Sequence, residues 1–239
     1  MEIHPITEQS TPLTILSAGA PKGGVQLCLD EFERVRGMAT QISFATAPQV
    51  RQAVESGATK AAIVIATVDA IAAFDAAGLT RSGHGGVFGS VAAGVVVRAG
   101  AVEPDIATVD SLKTALRAAD SVVYNIASSG LQIAAMIEKL GLTAELADKS
   151  IRPANGAAVV AHVAGSSNND IGFGQTPEIR RLEDQGVTLI GPLPSGVEIT
   201  TTYGVAVLRN SPEAAIELAD FLASDTAAPL LKAAGVTRQ

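Results

Sequence analysis

The chain predicts an α/β fold with parallel, wound sheets, and three observations carry that expectation. Short apolar runs alternate with stretches of helical periodicity, and three β-then-α units follow one another at the start of the chain. Apolar residues make up 47 % of the 239 residues and aromatics only 3 %, a mixture suited to helices packed closely on sheets. The strand-to-helix turns carry small or hydroxyl residues, the types that start helices.

The elements follow in order. Residues 13–18, LTILSA, read as a buried strand; Val25, Leu29, Phe32 and Val35/Arg36 then recur at helical spacing, with Gly37 as the stop. Residues 41–45 form a second short strand, and Pro48 opens a helix running towards Gly57. Residues 61–66 are a third strand, followed by an alanine-rich helix over 68–77. A long apolar strand, VAAGVVVR, spans 91–98; helices over 111–119 and from 129 to 140 flank a strand at 121–124. Further on come a helix near 157–164, strands at 171–173 and 187–190, and a threonine-rich β segment over 200–209. Ser211, Pro212 and Glu213 combine cap, first-turn proline and acidic first turn, which predicts a helix start there. Another helix begins at Ser224-Asp225 and ends at Gly235.

Composition excludes several function classes. A net charge of −7 lacks the basic face that a general nucleic-acid binder needs. The single cysteine, Cys28, allows no internal disulfide; on the apolar side of the first helix it reads as core. The three histidines, His4, His84 and His162, are scattered without paired spacing, so no metal site is predicted and no cofactor is implied. The N-terminal stretch shows no basic start followed by an apolar core of roughly 7–15 residues, and no run approaches the roughly 20 apolar residues of a membrane span. A cytoplasmic protein is expected, or a periplasmic one if Met1 replaces a removed signal.

The loop in LTILSAGAPKGG has its lysine before the glycines, and Val25 where a phosphate loop carries Ser or Thr; it fits neither nucleotide motif. An anion remains compatible with it, because backbone N–H groups at a helix start attract negative charge without any motif. Ser17 and Ala20 would let such a ligand approach, with Lys22 beside them. The same chemistry recurs at Thr46 with Arg51 one turn on, at Asn125, Ser128 and Ser129, and at Gln175 and Thr176 before Pro177. In open parallel sheets such turns converge beyond the carboxyl ends of the strands, where ligands bind. Lys22 and Arg51 could pair with carboxylates. For moving a proton, His84 in RSGHGGVFGS is the catalytic candidate, with Glu178 and Tyr124 behind it.

The segments ISFATAPQVRQAVESGA, GVVVRAGAVEPDIATVDSLKTAL, SSGLQIAAMIEKLG, IGFGQTPEI and ELADFLASDTAAPLLKAAGV, with the opening LTILSAGA, carry a resemblance in their order and spacing. Over residues 13–236 the chain resembles the type II periplasmic-binding-protein family, in the molybdate-binding branch whose offshoot includes aconitate isomerase. The resemblance implies two α/β lobes with the ligand in the cleft between them. Lobe 1 would comprise residues 13–89 and 200–239 and lobe 2 residues 90–199, with crossing strands near 91–98 and 200–209 and a flexible segment at 1–12. The family's oxyanion-binding serines fall on Ala20 and Thr46, its backbone donors on Ser129, beside Ser128, and near Gly156, and its tyrosine donor near Gln175. Two of those side-chain donors have changed, which argues against molybdate.

The function implied is binding of a small anion, a di- or tricarboxylate, with a double-bond shift like that of aconitate isomerase. The alternative is a solute-binding component that delivers molybdate or another small anion to an ABC permease, which requires export. A ligand sensor with neither activity nor export is a third possibility. The partner expected in each case is a small carboxylate or oxyanion, with neither nucleic acid nor membrane span.

Overall fold

A computed structural model of the chain describes residues 11–238; His4 and nearly all of the segment expected to be flexible lie outside the described residues. The elements run β1 (Leu13–Ala18), α1 (Lys22–Arg36), β2 (Thr40–Ala45), α2 (Ala47–Glu55), β3 (Ile63–Thr67), α3 (Val68–Ala76) and β4 (Thr80–Arg98). They continue through α4 (Val109–Ala118), β5 (Ser121–Val123), α5 (Ser128–Lys139), α6 (Thr143–Leu146), β6 (Ser150–Ile151), α7 (Gly156–Gly165) and β7 (Asp170–Gln175). The chain closes with α8 (Thr176–Arg181), β8 (Val187–Pro192), β9 (Thr200–Leu208), α9 (Ala214–Ala223) and α10 (Ala228–Ala233).

Two α/β lobes result. The strands of the first are ordered β2-β1-β3-β9-β4, with β1, β2 and β3 parallel and β9 antiparallel to both its neighbours. In the second, β7, β5 and β6 are parallel, while the far half of β4 pairs antiparallel with β7 and with β8. β4 therefore serves both sheets: up to Ala92 it pairs with β9, and from Ala93 onward with β7. The segment leading back into β9 is tied to the same point, through Ala93 N–H to Ile199 O and Leu193 N–H to Ala93 O.

Strand alternation builds a core on each face of each sheet. In lobe 1, Ile15, Ile63, Ile65, Val205 and Val207 point to α1, α9 and α10, meeting Leu29, Phe32, Leu218 and Leu231. Their neighbours Leu16, Val64, Ala66 and Ala206 point the other way, onto Val50 and Val54 of α2 and Phe74 of α3. Lobe 2 repeats the scheme: Val95, Val97, Ile171 and Phe173 face α4 and α5, and Val96 and Val123 face α7 and α8. Truncating a ring such as Phe74 or Phe173, each almost wholly buried, would cost about 3–5 kcal/mol.

Several expectations need correction. β4 begins at Thr80 instead of Val91, so the glycine-rich RSGHGGVFGS is itself strand. Its glycines hide the strand pattern but fit the pairing: Gly85 has φ +90° and lies so close to Val205 that any side chain would strike the Val205 carbonyl. Ser211 does not cap α9; its hydroxyl donates to Ala62 O, anchoring the turn to β3, and the helix starts at Ala214. Asp225–Ala227 is a 3-10 turn before α10 instead of the start of one long helix. Val35 lies on the solvent side of α1, 57 % exposed, because Phe32 already completes the buried stripe. The short β6 and α6 have no counterpart in the sequence reading. No described helix is long and apolar enough to cross a membrane.

Candidate functional site

The carboxyl ends of the parallel strands in both lobes open on one cavity of about 360 Å³, lined by residues of the two lobes together. Lobe 1 contributes Ala18 to Ala20 after β1, Phe44 to Ala47 and Gln49 after β2, and Thr67 at the end of β3. From lobe 2 come Asn125, Ala127 to Ser129 and Gln132 around the start of α5, Asn155 and Gly156 at the start of α7, and Gln175 and Glu178. Thr201 and Tyr203 of β9 complete the wall. Thr201 Oγ1 stands 3.4 Å from Gln132 Oε1, a hydrogen bond from β9 to α5 across the cleft.

Four helices of nine residues or more, α2, α3, α5 and α7, start at this cavity. Each presents first-turn N–H groups without intrahelical acceptors and the positive end of its dipole, an effect of about 0.3–1 kcal/mol per helix for an exposed anion. Local side chains set these starts. Thr67 accepts from Ala70 N–H at α3, and Asn155 Oδ1 accepts from Ala158 N–H at 2.9 Å at α7. Asn125 Oδ1 accepts from Ala127 and Gly130 N–H, and its amide donates to Ser129 Oγ at 3.0 Å. Gly130 is required there, since a side chain would strike the Asn125 carbonyl. At α2 the Thr46 N–H and hydroxyl both donate to Gln49 Oε1.

The lining includes no basic side chain, and Glu178 is its one charged residue. Its carboxylate packs against the Cα of Gly156, where a Cβ would overlap it, and it has no hydrogen bond or ion pair among the described residues. Burial raises the Glu178 carboxyl above the ordinary glutamate range, opposed more weakly by the charges of Arg181 and Lys22. Burial also raises the Tyr203 phenol, and the nearby Glu178 charge adds to that. Gln175 is 3 % exposed, and its Oε1 has no hydrogen-bond partner among the described residues. A buried acceptor left open in this way costs free energy that a ligand donor could recover.

The structure gathers eight of the sequence-predicted residues here: Ala20, Thr46, Asn125, Ser128, Ser129, Gly156, Gln175 and Glu178. It leaves others outside. Ser17 is fully buried and donates to Ala18 O. Lys22 lies over the Phe44 ring, 4.9 Å from its centroid, behind the cavity wall. Arg51 is exposed and paired with Glu55 one turn along α2. Tyr124 sits under the Arg152 guanidinium, 4.3 Å away. His84 lies on β4 beside α9, its Nδ1 3.7 Å from Asp220 Oδ2, and lines no part of the cavity. Thr67, Gln132, Asn155, Thr201 and Tyr203 line the cavity without having been singled out. Thr67 and Asn155 carry a local helix-cap signal, whereas Thr201 and Tyr203 arrive only through the placement of β9.

Two depressions of about 720 Å³ each lie elsewhere. One gathers the start of β1 and the ends of α2 and α3, and the other the far end of β4 and the helix α4. The first meets helix C-termini, whose dipoles disfavour anions. Among the described residues no group of three or more His, Cys, Asp or Glu side chains could hold a metal ion.

Comparison with known proteins places this geometry in context. The chain is 27 % identical to an aconitate isomerase from a Pseudomonas species over 236 residues, covering 95 % of this chain and 87 % of that protein. Its fold is similar to the periplasmic molybdate-binding protein of Azotobacter vinelandii, with a TM-score of 0.74 at 16 % identity over 95 % of this chain and 99 % of that one. The sulfate-binding protein SubI of Mycobacterium tuberculosis H37Rv gives a TM-score of 0.74 at 19 % identity, over 95 % and 86 % of the two chains. The fold is thus the two-lobed one expected from the sequence. The model of the bacterial extracellular solute-binding protein family matches residues 13–237, and the chain belongs to that family.

Proposed function

We propose that the inter-lobe cavity binds a small di- or tricarboxylate and catalyses a double-bond shift in it, in the manner of an aconitate isomerase. The observation that carries this reading is the convergence of four helix N-termini on a cavity whose one charged lining residue is a carboxylate. Backbone donors and dipoles neutralise carboxylate groups, and they remain in place when charge spreads onto those groups during a proton shift. Glu178 supplies a group able to exchange a proton with a bound substrate, which a carrier of an oxyanion does not need. Ala20 and Gln175, where the molybdate-binding pattern has hydroxyl donors, argue the same way. The 27 % identity to an aconitate isomerase supports the choice of substrate class.

Closing the cleft is expected to follow from bending of β4 near Ala92 and Ala93 and of the segment returning to β9, as in hinge closure around other ligands. The lobe division at residues 90 and 200 belongs to this proposal. Closure would exclude water and strengthen each polar contact to the substrate.

A second reading is supported by family membership and by the fold neighbours: a binding protein that carries a small anion to an ABC permease. One experiment separates the two. The protein is screened by thermal shift against carboxylates and oxyanions, and then incubated with cis- or trans-aconitate in D2O. A ligand at 100 times its Kd adds about 2.7 kcal/mol of stability. Carboxylate stabilisation with deuterium wash-in supports the isomerase; tight oxyanion binding without exchange into any unsaturated acid supports the carrier and overturns the isomerase.

A further inference from the structure

A double-bond shift needs a group that removes a proton from an allylic carbon and returns one at the far end of the allylic unit. The expected candidate, His84, is held at the surface of lobe 1 by α9 and cannot reach the cavity. Within the lining, threonine, serine, asparagine and glutamine side chains do not ionise near neutral pH, so none of them supplies a base by itself. Tyr203 and Glu178 remain, and the Tyr203 phenol is held in its protonated form by burial and by the Glu178 charge.

Resting on the isomerase reading, we infer that Glu178 is the catalytic acid–base residue of the cleft, seated by Gly156 at the first turn of α7 in the cavity that Tyr203 also lines. Three features on three elements make this arrangement. On α8, Glu178 lines the cavity with a carboxylate that has no hydrogen bond among the described residues, where an acceptor lone pair is free to take a proton. On α7, Gly156 has no side chain, and only that absence leaves room for the carboxylate. On β9, Tyr203 lies close enough for the two groups to feel one another's charge. The other ionisable groups whose fields reach Glu178 are Lys22 of α1 and Arg181 of its own helix, and neither forms an ion pair with it. Both favour the ionised form that a base needs, while burial favours the neutral form that an acid needs. The group is thereby poised to act in both directions.

The step balances without a co-reactant. Glu178 carboxylate takes the allylic proton as the C–H bond breaks. The electron pair moves into the allylic system and onto the oxygens of a conjugated substrate carboxylate, which the N–H groups at the starts of α5 and α7 can hold. A new C–H bond then forms at the far carbon with the proton carried by Glu178, and the carboxylate is restored. Exchange of that proton with solvent between the two transfers places deuterium in the product.

The test compares wild type, Glu178→Gln and Glu178→Asp with cis- or trans-aconitate in D2O, reading isomerisation and deuterium content by NMR and binding by thermal shift. E178Q is expected to keep the ligand-induced shift and to lose about 100-fold or more in both isomerisation and exchange, the range of a general acid–base group. E178D is expected to retain part of the rate and to shift the pH at which it rises, which distinguishes proton transfer from a purely structural role even if E178Q folds poorly. E178Q that binds the acid and exchanges at the wild-type rate overturns the assignment while leaving the isomerase reading in place. Wild-type protein that binds no carboxylate, or exchanges no deuterium, overturns the isomerase reading and the assignment with it.

Discussion

Glu178 and Gly156 form a lock between two helices of the second lobe: the carboxylate of one occupies the space that a side chain on the other would fill. G156A therefore forces the carboxylate out of its seat or pushes α7 away from α8. The expected result is a loss of about 1–3 kcal/mol of stability, typical of overpacking. A fall in isomerisation rate larger than any change in ligand binding should accompany it. Chemical denaturation and deuterium exchange on the same variant check both.

The raised Glu178 carboxyl also has a sign in stability. The folded state keeps the proton at pH values where the unfolded chain has already lost it, so wild type gains from this group below the ordinary glutamate range. That gain is lost as pH rises through the folded value. E178Q has nothing to ionise. Its melting temperature should match that of wild type in acid and exceed it increasingly towards neutral pH, levelling off once the folded carboxyl has ionised. A difference that shrinks as pH rises contradicts the burial of this group.

His84 offers the complementary control. Its ring contacts Asp220, outside the cavity. H84A should leave isomerisation and exchange within about twofold of wild type and change stability by no more than about 0.5 kcal/mol, as for surface substitutions generally. A large loss of rate in H84A would return the proton transfer to this residue.

Cys28 lies on the buried face of α1 with no exposure, and burial pushes its thiol up to about 12, with the Arg238 charge opposing weakly. Thiolate is the reactive form, so the folded protein should resist alkylation at neutral pH. Full labelling is expected only on unfolding. Mass spectrometry before and after denaturant reads the difference, and rapid labelling of the native protein would show that α1 opens locally.

The β-then-α order in the sequence was enough to establish the wound sheets, and the hydroxyl and small residues after the strands marked the strand ends that open on the inter-lobe cavity. Ala20, Thr46, Asn125 and Gln175 were legible for that reason, each local to a strand-to-helix turn, whereas Gly156 was marked only by the family resemblance. Thr201 and Tyr203 were not, because they reach the cavity only when β9 threads between β3 and β4, a relation no local pattern encodes. Lys22 and Arg51 carried the right charge for an anion, yet each found a nearer partner, an aromatic face and a glutamate one turn away. His84 misled because its glycine neighbours read as a loop, whereas those glycines allow β4 to pass close against β9.

The position of β9 has a consequence for the order in which the molecule can assemble. Synthesis delivers β1, β2, β3 and the first half of β4 early, but the strand that joins β3 to β4 emerges only after the whole of the second lobe. Until then β3 offers an unpaired edge, and long-range pairings of this kind are slow to form. The second lobe, contiguous between β4 and β9, can close its sheet without waiting. During translation the earliest segments would thus remain exposed to aggregation and to chaperones the longest. A chain truncated before Thr200 and released from the ribosome should carry a protease-resistant second lobe attached to a protease-sensitive first one.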